Sequence, residues 1–273
     1  MIKGMRLHTL FYSLVCLFVS KYATSCKEED EQMKLSLIAM LGLLLLSPGC
    51  AAKYPLKPSS EAKLQLHDLF ENHIVAIGGR TAFLKKKNMR IEGRVRTMES
   101  NMVLSFETIK IAPNQLWTQL TDVKGETRSR GWDGQQGWLG DRMLSSEQSR
   151  ELARNADFYF PLNHHEIYID VFRIDQTVFG GRPCFVVLSK TQQGEWYELF
   201  FDQNNDLLIG YSRWQEGKEK YWYRFGHYTD VEGIKHPLSI EEKSSQYHKL
   251  ILIESISWNL SDLHIPFPQV SNP

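Results

Sequence analysis

After Asn88 the apolar residues of this chain change their spacing from about 3.6 to 2, and they keep the shorter period almost to the end. Met89, Ile91, Gly93 and Val95 alternate with Arg90, Glu92, Arg94 and Arg96, which gives one apolar and one charged face, the mark of a half-buried β-strand. Comparable runs occupy residues 103–111, 115–121, 126–132, 166–174, 183–190, 196–202, 207–215, 220–228, 238–243 and 249–260, separated by Asn, Pro, Gly or Asp. About eleven strands with short turns, and no regular strand–helix alternation, predict one large antiparallel sheet. A sheet of that size curls on itself or splits into a sandwich. Tyr221-Trp222-Tyr223-Arg224-Phe225 carries rings on both parities of one strand, so that strand is predicted to be central and covered on both sides.

Helical spacing is confined to two places. Leu66, Leu69, Phe70, His73, Ile74 and Ile77 recur every three or four residues, with Ser59 or Ser60 available as a cap and Gly78-Gly79 as the stop; a short second helix is expected over residues 81–87. Ser145 and Gln148 have capping-box spacing and open a helix to about Asn155.

Upstream of these elements, residues 33–49 read as a bacterial lipoprotein signal. One lysine, Lys34, precedes the apolar run Leu35 to Leu46, and small residues lead to Gly49 and Cys50. The run is twelve residues long, too few to span a bilayer core, which needs roughly 20. Cleavage before Cys50 would leave its thiol to carry the lipid, and a multi-chain anchor is effectively permanent. A second signal-like stretch (Lys3, Arg6, residues 7–20, Cys26) lies ahead of it; the economical account starts translation at Met33 and treats residues 1–32 as a misassigned extension. Residues 50–59, with Pro55 and Pro58, form a tether to a domain spanning 60–265. The absence of aspartate at Ala51 favours the outer membrane, on its periplasmic face.

From Cys50 onward the chain has 27 Lys+Arg against 28 Asp+Glu, a balance that argues against a nucleic-acid partner. Only Cys184 remains beyond Cys50, so an acylated Cys50 leaves no intramolecular disulfide; Cys184, in an apolar strand, is expected to be a small buried side chain. His164-His165-Glu166 does not present two histidines one helical turn apart and is read as a loop pair, with no metal expected. No Gly-x-Ser-x-Gly elbow or phosphate loop is present, and Asp133, Asp202 and Asp230 sit where turns need them. No cofactor and no catalysis are expected.

Several phrases recur in a fixed order: Ala76-Ile77-Gly78-Gly79, Ile91-Glu92-Gly93, Trp132-Asp133-Gly134 through Gly137-Trp138, Phe179-Gly180-Gly181-Arg182-Pro183-Cys184, Leu199-Phe200-Phe201-Asp202, and Tyr228 to Pro237. In that succession the chain resembles the LolA/LolB-like superfamily of bacterial lipoprotein carriers and receptors, including its outer-membrane lipoprotein-sorting members. The resemblance implies a mainly β, α+β domain: a curved, unclosed antiparallel barrel of about eleven strands whose helices cover the concave face around a hydrophobic cavity. All seven tryptophans lie in or beside predicted strands; the cavity-lining candidates are Trp117, Trp132, Trp138, Phe172, Phe201, Trp214 and Tyr223. The expected activity is non-covalent binding of an acyl chain, a lipid or a lipidated protein by a membrane-anchored lipoprotein. The alternative is an envelope interaction or sensor module, partnered by an envelope protein, whose cavity is filled by its own side chains.

Overall fold

The computed structural model describes residues 57–267, apart from residues 193, 216 and 217, so the signal, Cys50 and most of the tether lie outside the described residues. Helices α1 (Ser60–Ala76) and α2 (Arg80–Leu84) come first, followed by β1 (Asn88–Thr97), β2 (Val103–Ile111), β3 (Gln115–Thr121), β4 (Thr127–Trp132), β5 (Gly137–Leu139) and β6 (Arg142–Met143). A crossing segment holds α3 (Ser146–Asn155), a 3₁₀ turn (Phe160–Leu162) and α4 (His164–Ile167). Seven further strands end the domain: β7 (Tyr168–Phe179), β8 (Arg182–Thr191), β9 (Trp196–Asp202), β10 (Leu208–Gln215), β11 (Lys218–Val231), β12 (Ile234–Ser244) and β13 (His248–Trp258).

All thirteen strands form one antiparallel sheet in the order β6-β5-β4-β3-β2-β1-β13-β12-β11-β10-β9-β8-β7. The chain therefore walks outward from β1 to one edge, crosses to the opposite edge, and walks back until β13 pairs with β1. The sheet is not closed, because β6 and β7 remain edges. The two strands beyond the predicted eleven are β5 and β6, of three and two residues, too short to display any period. The strand predicted over 166–174 is displaced: His164-His165-Glu166 opens a helical turn, and the strand runs from Tyr168 to Phe179. Register shifts between Tyr168 and Asp170 and between Val171 and Arg173 break the alternation that would have marked its true extent.

In β1 the alternation is realised residue by residue. Met89, Ile91, Gly93 and Val95 are buried, and Val95 faces Ile251 across the β1–β13 seam. The seam is irregular between Glu92 and Gly93, where the backbones approach so closely that a Cβ on Gly93 would lie 2.1 Å from the Leu252 carbonyl oxygen. On β11, Tyr223 and Phe225 face the core, whereas Trp222 on the other face meets Phe179 edge-on at 6.4 Å. The covering on that side thus comes from the β7–β8 turn, with Phe179 stacked on Phe200 at 4.1 Å.

The helices are capped as expected. The Ser59 hydroxyl accepts from the Ala62 amide at 3.1 Å, and Ser145 with Gln148 completes a capping box. α1 buries Leu66, Phe70, His73 and Ile74. Its C-terminus docks on the β11–β12 turn, with the Lys235 amide donating to the Ile77 carbonyl at 2.9 Å. Gly78 makes that approach possible, since its φ is +123° and a Cβ there would sit 2.1 Å from the Gly233 carbonyl oxygen. The predicted turn aspartates hold turns: Asp133 accepts from the amides of Gln135 and Gln136, Asp202 from Asn204, and Asp230 from Gly233. Cys184 is fully buried, and burial pushes its thiol pKa up.

Candidate functional site

A cavity lies where α1, α2 and the crossing segment meet the sheet. From α1 and its C-terminus come Phe70, His73 and Ile77; from α2, Phe83; from the crossing segment, Phe158, Phe160 and Pro161. The strands contribute Met89, Tyr168, Leu208, Phe225, Tyr228 and Trp258, and the β12 end contributes Lys235, His236 and Pro237. The void is about 80 Å³. Pockets for small ligands usually measure roughly 300–1,000 Å³, so this one is closed down around its own aromatic side chains.

Its walls are pinned by specific contacts. The Phe70 ring meets Phe201 edge-on at 5.1 Å and stacks on His164 at 4.1 Å. His73 Nδ1 lies 3.1 Å from the Leu208 amide nitrogen and 3.2 Å from the Asp206 carbonyl oxygen. The amide can only donate, so Nδ1 is the acceptor and the ring proton sits on Nε2. On the other side of Leu208, the Tyr228 hydroxyl donates to its carbonyl at 2.6 Å. Burial pushes the His73 pKa down to about 4, which keeps the ring neutral and the Nδ1 lone pair free to accept. The crossing segment is tied to the sheet by Lys110 Nζ, which donates to the Asp157 carbonyl at 3.1 Å, and by the Phe158 amide, which donates to the Pro113 carbonyl. Tyr159 ties it to the α2 end by donating to the Lys86 carbonyl at 3.0 Å.

One end of the cavity is polar. Lys86 Nζ pairs with Glu232 at 2.9 Å and stands 5.3 Å from the centre of the Trp258 ring, which in turn lies 5.2 Å from the His236 ring. Burial first, and then the Lys86 charge, lower the His236 pKa to about 4. The same face of β12 continues to Glu242, which accepts from Tyr223 and Tyr247 at 2.7 and 2.6 Å and faces Lys249 at 3.9 Å. Burial raises Glu242 to about 7 and lowers Lys249 to about 8.

None of the seven aromatics put forward from the sequence is among the residues lining this cavity. Trp117 packs with Ile109 and Ile265, and Trp132 packs against Leu116 and Leu152. Trp138 donates to Asp133, and Trp214 donates to Glu198. Phe172 meets Trp196 at 4.6 Å, and Tyr223 stacks on Tyr211 at 4.4 Å. Phe201 comes nearest in role, as the backing for Phe70. Of the seven tryptophans, Trp258 lines the void. Strand period alone says which residues share a face but not which stretch of that face lies beneath the helices, and seven of the sixteen lining residues belong to helices and to the crossing segment.

His67, Glu71 and His164 bring one potential metal-ligand atom each within 4.8 Å of one another. His67 and Glu71 share a helix face at i, i+4, but His164 comes from α4, a partner that no local spacing could show. Such a set has the chemistry to hold a transition-metal ion, although Glu71 is already paired with Arg80 at 3.0 Å. No helix among the described residues is long and apolar enough to cross a membrane.

No family model and no curated protein matches the chain. Among solved structures, a LolA superfamily protein from Nitrosomonas europaea superposes with a TM-score of 0.51 at 12% identity, covering 72% of this chain and 94% of that one. A domain assigned to outer membrane lipoprotein sorting, from Vibrio parahaemolyticus, gives 0.50 at 7% identity, covering 72% and 93%. At such identities the likeness concerns the path of the chain and not its ligand. With an unclosed antiparallel sheet, a crossing segment joining its two edges and helices packed beside it, this chain has a LolA-like fold.

Proposed function

We propose that the protein is a lipoprotein of the cell envelope, anchored through Cys50 to the periplasmic face of the outer membrane, whose cavity takes up an acyl chain of a lipid or of a lipidated protein. The observation that carries this reading is the apolar, aromatic wall shared between the helices, the crossing segment and a sheet that stops short of closure. Such a wall can part without breaking a strand ladder. Burying about 14 methylenes at about 0.8 kcal/mol each yields roughly 11 kcal/mol. Association costs at least about 4 kcal/mol, and separating packed aromatics costs more, which leaves at most about 7 kcal/mol, an affinity of about ten micromolar or weaker. No bond is made or broken.

The test is titration of the Cys50→Ser protein with cis-parinaric acid. Saturable binding at about ten micromolar or weaker is expected, and Phe83→Trp, which fills the void, should weaken it about tenfold while thermal unfolding stays cooperative. A folded protein that leaves the probe dark would end the reading. For the anchor, Cys50→Ser should abolish metabolic palmitate labelling and release the protein from membranes; labelling that persists would move the anchor to Cys26.

A further inference from the structure

The polar end of the cavity presents hydrogen-bonding capacity that the protein itself does not use. His236 and Trp258 are 8% and 6% exposed, and neither His236 Nε2 nor Trp258 Nε1 has a hydrogen-bond partner among the described residues. Both residues line the void, and their rings are 5.2 Å apart. An indole N–H can only donate, and leaving such a group buried and unpaired costs roughly 1–3 kcal/mol. A neutral imidazole adds one further donor. Lys86, whose side chain is 9% exposed, supplies a positive charge above Trp258, and the exposed Lys235 stands at the same end. Donors and cations outnumber acceptors among Lys86, His236 and Trp258, the second ring nitrogen of neutral His236 being their one acceptor. The Lys86 partner, Glu232, has a side chain that is 55% exposed and lies toward solvent.

We propose that Lys86, His236 and Trp258 form an acceptor-binding site for the acyl carbonyl group of the ligand, so that the cavity reads the oxygen-bearing end of the chain as well as its length. This rests on the acyl-binding reading above. The ligand's carbon chain lies among Phe70, Phe83 and Phe225, and its carbonyl oxygens accept from the Trp258 indole and the His236 imidazole. An amine-headed amphiphile is disfavoured by Lys86 and Lys235, and a pure hydrocarbon leaves the donors unpaired. The carbonyl has two possible sources, the carboxylate of a free fatty acid and the ester of a glycerolipid or lipidated cysteine. A carboxylate would draw Lys86 away from Glu232; an ester would leave that pair in place.

The experiment compares three probes on the Cys50→Ser protein: cis-parinaric acid, its methyl ester, and the hydrocarbon diphenylhexatriene. The acid, the ester or both should bind about tenfold more tightly than the hydrocarbon. His236→Phe and Trp258→Phe should each remove most of that advantage, read as the ratio of the acid or ester affinity to the hydrocarbon affinity of the same variant. Lys86→Met should weaken the acid alone if the source is a carboxylate, and Glu232→Gln should then strengthen it; an ester source would leave the methyl ester unaffected by either change. In the unsubstituted protein, the Trp258 indole N–H resonance should move downfield with the acid or ester and not with the hydrocarbon, a measurement that requires no variant to fold. If all three probes bind alike and the indole resonance does not respond, the acceptor site is overturned while the acyl cavity stands. If none binds to folded protein, the cavity reading falls first and takes this inference with it.

Discussion

Gly78→Ala is expected to lower the stability of the domain by about 3–5 kcal/mol, whereas Gly79→Ala, one residue later, should cost only about 1 kcal/mol. Both glycines have positive φ, +123° and +85°, so both substitutions meet backbone strain. They differ in their surroundings. A Cβ on Gly78 would lie 2.1 Å from the Gly233 carbonyl oxygen and 3.3 Å from Ile234 Cα, whereas nothing lies within 4 Å of one on Gly79. The Gly78 clash is with backbone, so relief requires α1 to lift from the β11–β12 turn and to give up the Lys235-to-Ile77 hydrogen bond, worth about 1 kcal/mol. Ile77 and His236 line the cavity on either side of that contact, so the acyl affinity of Gly78→Ala should fall together with its stability. Urea unfolding midpoints of the two variants decide the matter: equal costs would show that the close approach of helix and turn contributes nothing.

That contact also shows what was legible in the sequence. Ala76-Ile77-Gly78-Gly79 and Tyr228 to Pro237 each read as ordinary punctuation, a helix stop and a hairpin, and each was correct as such. Their juxtaposition, more than 150 residues apart in the chain, is a tertiary fact that no local period encodes. Strand positions were recoverable because burial on one face imposes alternation, and they failed where bulges reset it, as in β7, or where strands were too short to alternate, as in β5 and β6. The cavity was harder to locate. His73, Phe83, Phe158 and His236 come from a helix, a short turn of helix, a connecting segment and a strand, and only the crossing from one sheet edge to the other brings them together. His73 occupied a core position in the helical pattern. A polar side chain at such a position is a signal in its own right, because a buried imidazole needs a partner, here the Leu208 amide.

The same two buried histidines lead to the expectation that acid destabilises this domain over a defined window. In the unfolded chain both imidazoles titrate near 6.5, and in the folded protein His73 and His236 titrate near about 4. Between those values the unfolded state holds more protons, so stability is fully present above pH 6.5 and is lost as the pH falls toward 4. The loss is on the order of 3 kcal/mol for each ring. Glu242 acts in the opposite sense: its folded pKa is raised from 4.5 to about 7, the folded state holds the extra proton, and acidification through that range restores roughly 3 kcal/mol. Lys110 and Lys249, lowered to about 7 and about 8, exert their effect above neutrality and add little below it. The unsubstituted protein should therefore lose about 3 kcal/mol between pH 7 and pH 4, and Glu242→Gln, which removes the opposing group, should roughly double that slope. His73→Gln combined with His236→Gln should flatten or reverse it. Urea midpoints at pH 7, 5.5 and 4.5 measure all three; a double-histidine variant with the slope of the parent would sink the assignment. The consequence for binding follows from the geometry. Protonated His73 can no longer accept from the Leu208 amide; its Nδ1–H then donates to the Asp206 carbonyl 3.2 Å away, so α1 keeps a tie to the β9–β10 turn while the buried Leu208 amide loses its partner. Protonated His236 meets Lys86 as a second positive charge. Acid thus leaves the Leu208 amide unpaired beside the cavity and makes its polar end more cationic at once. Release of the uncharged methyl ester of cis-parinaric acid should accordingly begin near pH 5, ahead of global unfolding, because the Leu208 amide beside the cavity has then lost its His73 acceptor.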